Sequence, residues 1–119
     1  MPRYVLLILD DPKREWASPA EAGAAMAKMG RFAAELGQQG KLQGGNPLES
    51  MAEAVGVRAR DGQVSVTDGP FAETKEMVGG FFLIEAADRA EALEIAKRCP
   101  AAALGPVELR EVMEVGPPR

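Results

Sequence analysis

The segment with the greatest chemical capacity reads Val66-Thr67-Asp68-Gly69-Pro70-Phe71-Ala72-Glu73-Thr74-Lys75-Glu76. It places a carboxylate at the end of an alternating stretch, then a constrained turn, one aromatic ring and several polar groups. In a functional reading Asp68 is the catalytic residue, a general acid or base at the mouth of a pocket. Phe71, Glu73 and Lys75 then bind a ligand, with Glu73, Lys75 or Glu76 positioning it or tuning the Asp68 carboxyl. The structural reading of the same residues is a turn. Asp-Gly and Gly-Pro are ordinary turn dipeptides, and an Asp side chain commonly bonds its own turn backbone. On residue types alone the structural reading leads.

Four further positions carry weaker chemistry. Tyr4 offers a hydroxyl on the first strand, although a single Tyr usually packs with one satisfied hydrogen bond. Arg110 suits a carboxylate-bearing ligand, or is an exposed strand charge. Gly44-Gly45 brings backbone amides close to a ligand, or marks a bulge. Asp10-Asp11 forms a pair of adjacent carboxylates without the spaced ligands a cation needs. No metal site or cofactor is expected, because the glycines match neither GxGxxG nor a P-loop.

Composition excludes several classes. The 119 residues contain no His and one Cys, so neither a Ser-His-Asp nor a Cys-His unit can form, and there is no internal disulfide. The net charge of −4 lacks the basic footprint of nucleic-acid binding. The apolar run 4–9 is too short to span a membrane or to act as a signal peptide. These features predict a cytoplasmic protein that contacts neither nucleic acid nor membrane. Cys99 reads as a small buried residue at a helix end.

Elements that would position these groups follow from periodicity. Residues 3–9 read as a strand apolar on both faces. Ser18-Pro19-Ala20-Glu21 opens a helix with a capping box. Ala22, Ala25, Met26, Met29, Phe32, Ala33 and Leu36 continue it at helical spacing as a core stripe, and Gly37 and Gly40 stop it. Residues 41–48 form a short strand. Asp61-Gly62 joins two alternating segments into a hairpin over 54–67. Gly79-Gly80 introduces a strand at 81–84. Asp88 caps a second helix whose stripe is Ala92, Leu93, Ala96 and Cys99. A last strand carries Val107, Leu109, Met113 and Val115. One domain spans 1–115, and 116–119 is a C-terminal tail.

The order of elements predicts an α+β fold: a ferredoxin-like βαββαβ antiparallel sheet, two helices on one face and an inserted β-hairpin. Two helices cover one sheet face only, while strands 3–9 and 81–86 are apolar on both. A homodimer with sheet-on-sheet packing covers the second face.

The segment 68–76 resembles the DGPF-domain branch of the YCII-related family. The resemblance extends through Tyr4-Val5-Leu6-Leu7-Ile8, Gly44-Gly45, Val57-Arg58, Gly79-Gly80-Phe81-Phe82-Leu83-Ile84, Glu91-Ala92-Leu93-Glu94 and Val107-Glu108-Leu109-Arg110. It implies a bacterial, cytoplasmic dimeric α+β barrel. Relatives are regarded as enzymes because of a His-Asp pair in a pocket. This chain has no His, so only an Asp carries over, and Asp68 is the candidate. Genes of the branch often neighbour those of extracytoplasmic-function sigma factors. Two functional readings result: a small-molecule enzyme with its pocket near the 68–71 loop, or a non-catalytic ligand-binding or regulatory module linked to such sigma factors.

Overall fold

The structure, a computed structural model, describes residues 1–69 and 76–116. Along the chain lie β1 (Arg3–Asp10), α1 (Pro19–Gln38), β2 (Leu42–Pro47), β3 (Val55–Arg60), β4 (Gln63–Asp68), β5 (Met77–Glu85), α2 (Arg89–Arg98) and β6 (Val107–Glu111). Short 3-10 turns precede β3, at Met51–Glu53, and follow α2, at Pro100–Ala103. The protein is α+β, with a four-stranded antiparallel sheet in the order β2-β5-β1-β6 and a separate β3-β4 hairpin.

Local signals set the element ends. Ser18 Oγ accepts the backbone N–H of Glu21, and the Glu21 carboxylate accepts that of Ala17. Asp88 and Glu91 repeat the arrangement at α2, where Glu91 accepts from Ala87. Such caps satisfy helix-start donors that have no intrahelical partner. At the hairpin turn Asp61 and Gly62 take φ of 50° and 76°, the left-handed pair that a type I′ turn requires.

The register separates the two sheet faces. Tyr4 lies opposite Ile84, and Leu6 opposite Phe82 and Leu109. This face is buried beneath both helices: Tyr4, Leu6 and Ile84 pack with Phe32 and Leu36 of α1 and with Ala92, Ile95 and Ala96 of α2. Each fully buried Leu or Ile contributes roughly 1.5–3 kcal/mol of transfer free energy. The opposite face carries Val5, Leu7, Leu9, Phe81 and Leu83, all half-buried, with no element of the described chain packed over it.

Several expectations shift. Met26 is 58% exposed and lies outside the core, whereas Met29 is half-buried and packs against its edge. Burial along α1 is concentrated at Phe32 and Leu36, which lie in its C-terminal half. The N-terminal half of α1 therefore overhangs the sheet instead of sealing it. In α2 it is Ile95 that is buried, while Leu93 is exposed. The last strand ends at Glu111, leaving Met113 and Val115 in solvent. Gly79-Gly80 lies inside β5, where the pairing with β1 shifts register between Ile8 and Leu9.

Candidate ligand cleft

The overhang of α1 opens a cavity of about 330 Å³ between the helix and the sheet. That is at the small end of the usual 300–1,000 Å³ range for ligand pockets. Its walls are built from absent side chains. Ala25, Gly30 and Ala33 leave space on α1, and Gly45, Gly79 and Gly80 leave it on the sheet. Larger apolar groups, Met26, Met29, Phe82 and Leu104, surround that space. A neighbouring hollow of about 220 Å³ shares Trp16, Ala25, Met29, Ala101 and Leu104 with it.

Gly45 is needed for this floor. Its φ is +148°, and a Cβ there would lie 2.5 Å from the Phe81 carbonyl oxygen. Only glycine meets both conditions comfortably. At Gly80 a Cβ would stand 3.2 Å from the Asn46 carbonyl oxygen, so strand β2 also lies close over that position.

The mouth is polar. Asp10, the last residue of β1, lines the cavity. Its Oδ1 accepts the Arg14 Nε–H at 2.5 Å and the Asp11 backbone N–H at 2.9 Å. Arg14 also donates through Nη2 to the Leu104 carbonyl, linking the 11–17 loop to the turn after α2. Its guanidinium stands 5.8 Å from the centre of the Trp16 ring, within cation–π range. Trp16 lines both hollows and is the chain's one tryptophan.

The residues singled out from sequence do not assemble here. Tyr4 is buried at 3% exposure in the core, and burial pushes its phenol above the ordinary value, with Glu111 and Asp88 adding to the effect. Arg110 is exposed and sits opposite Val5, on the face turned away from the helices. Tyr4 and Arg110 therefore occupy opposite sides of the sheet. Asp68 is exposed at the end of β4, opposite Val55, and lines neither hollow. Phe71, Glu73 and Lys75 lie outside the described residues. The cleft instead draws on Trp16, from the segment between β1 and α1 that carries no expected site residue, and on the two methionines assigned to the core stripe. Asp10, weighed from sequence as half of a cation site, is ion-paired with Arg14. Of the site positions weighed from sequence, Asp10 and Gly45 are the two that line the cleft.

Fold and site together define a small α+β protein with one sheet face open and an apolar cleft beneath its first helix. The chain belongs to the family of YCII-related domains, matched over residues 2–116. It is similar to an uncharacterized protein of Rhizobium meliloti (strain 1021), with 43% identity over 60 residues, 50% of this chain and 48% of that protein. The chain thus spans about half the length of the curated relative it matches. Among the described residues no helix is long and apolar enough to cross a membrane.

Proposed function

We propose that this protein binds a small organic molecule in the cleft between α1 and the sheet. The observation that carries the reading is the cavity itself, lined by Gly30 on the helix and Gly45, Gly79 and Gly80 on the sheet. Glycine in mid-helix costs about 1 kcal/mol relative to Ala, so filling Gly30 carries no propensity penalty of its own.

Methyl NMR of methionine-labelled protein tests this with 2-phenylethanol as the probe. Met26 and Met29 methyls should shift saturably while Met1 and Met113 stay still. Gly30→Leu should abolish the response, because Gly30 lines the cavity and a Cβ at this position meets nothing within 4 Å. An absent response, or one unchanged in the variant, rules the cleft out. Asp68 stands apart from the cleft as a second candidate for proton chemistry, at the exposed end of β4. Asp68→Asn would separate its role from that of the cleft once a turnover is found.

A homodimer is the second part of the proposal. The strand order and both helices on one face fit a ferredoxin-like unit, and the 68–76 segment supports the DGPF branch. Pairing two open faces would form a dimeric α+β barrel. The hairpin adds a second apolar surface. Val55, Val57, Val64 and Val66 share one of its faces and are 56%, 68%, 67% and 65% exposed. Four exposed valines on one face support association through the hairpin. Leu7→Lys or Val57→Glu should give a monomer by analytical ultracentrifugation where the wild type sediments as a dimer; a monomeric wild type would reject the idea.

A further inference from the structure

We infer that the cleft ligand is an uncharged aromatic molecule carrying a hydroxyl or N–H group, with that donor on Asp10 Oδ2. The inference rests on the cleft being a binding site and adds the chemistry of its occupant. Asp10 is the one charged side chain lining the main cavity among the described residues. Its Oδ1 is taken by Arg14 and by the Asp11 backbone, while Oδ2 accepts no hydrogen bond among the described residues. An acceptor at the rim of a mainly apolar cavity, whose other polar lining residues are the uncharged Asn46 and Trp16, selects a ligand with a donor and an apolar body.

Charge is selected against in both signs. An anionic ligand would meet the Asp10 carboxylate. Of the cations nearby, Arg14 already serves Asp10 and the Leu104 carbonyl, and Lys28 lines the neighbouring hollow and not this cavity. A cationic ligand would find the Asp10 charge already balanced by Arg14, so entering the cleft would strip its water without a counterion of its own. The walls suit a ring. Met26 and Met29 offer thioethers, which make favourable contacts with aromatic edges. Trp16 and Phe82 add aromatic faces to the same lining, against which a ring can pack.

The test compares 2-phenylethanol, phenylacetate and 2-phenylethylamine at neutral pH, each followed by the Met26 and Met29 methyl shifts. The three share a ring and a two-carbon arm and differ in charge. The alcohol should bind at least about tenfold more tightly than the acid or the amine, the scale set by one hydrogen bond to a charged group. Asp10→Asn should shrink the alcohol-over-acid preference by about tenfold, since one anionic acceptor becomes a neutral amide. The ratio between two ligands does not depend on how much variant is folded. If the acid or the amine binds as well as the alcohol, the cleft stands and the assigned chemistry is wrong. An unchanged ratio in Asp10→Asn removes Asp10 from recognition and overturns the inference. Failure of all three probes overturns the cleft reading and the inference together.

Discussion

Gly45 lies against the backbone of Phe81 so closely that a Cβ at Gly45 would stand 2.5 Å from the Phe81 carbonyl oxygen. The same atom would be 2.9 Å from Phe82 Cδ1. Edge strand β2 runs close beside β5 here, and Phe82 makes an edge-to-face contact with Phe32, ring centres 5.5 Å apart. This one approach supports both the core and the cleft floor.

Gly45→Ala should therefore destabilise the fold by about 2–4 kcal/mol, combining a strained φ with overpacking. Gly23 is the control, an exposed position in the second turn of α1 where a Cβ meets nothing within 4 Å. Gly23→Ala should stabilise by about 0.5–1 kcal/mol. Urea unfolding of the two variants checks the pair; equal shifts would contradict the geometry.

Arg14 holds the 11–17 loop at the cleft mouth through Asp10, Leu104 and Trp16. Arg14→Ala should free the indole while costing no more than about 1 kcal/mol, the scale of a partly exposed ion pair. Since Trp16 is the only tryptophan, its emission reports this loop directly. A red shift and easier quenching by acrylamide are expected; an unchanged spectrum would show that Arg14 does not set the indole's position.

Cys99 is buried at 2% exposure, and burial pushes its thiol above the ordinary value. The thiolate is the reactive form, so folded protein should be inert to an aromatic disulfide reagent near neutral pH. Labelling should appear only with denaturant, at a rate that follows unfolding. Rapid labelling of native protein would contradict the packing under α2.

Tyr4 gives a pH prediction with a definite sign. Its folded phenol titrates above the ordinary value of 10, chiefly from burial. The contribution is complete below the unfolded value and is lost as pH rises through the folded one. Urea midpoints should fall with pH in that alkaline window, and Tyr4→Phe should flatten the fall. Tyr4 is the one tyrosine, so phenolate absorbance follows the same event. A titration at or below the ordinary value would sink the assignment.

The parts of the structure that were legible in the sequence are those whose causes are local. Ser18 and Asp88 cap because a side-chain oxygen reaches an N–H three residues on. Asp61-Gly62 turns because both positions accept positive φ. The apolar run of β1 declared a strand with two faces to cover. The site was read less well. Met26 and Met29 have helical spacing, which says that they share a face of α1 but not what opposes it. Gly79-Gly80 looked like a lead-in to a strand, although a glycine pair inside β5 makes a floor.

What the sequence by itself determined is the set of elements, their order and the apolar character of their faces, because backbone conformation and alternation depend on near neighbours. What only the tertiary structure decided is where α1 stops touching the sheet. Phe32 and Leu36 reach the core, and the smaller residues before them do not fill the gap above Gly45, Gly79 and Gly80. A cavity is the space left between segments distant in sequence, so no single segment records it. Arg14 meeting Leu104 across 90 positions is the same kind of fact.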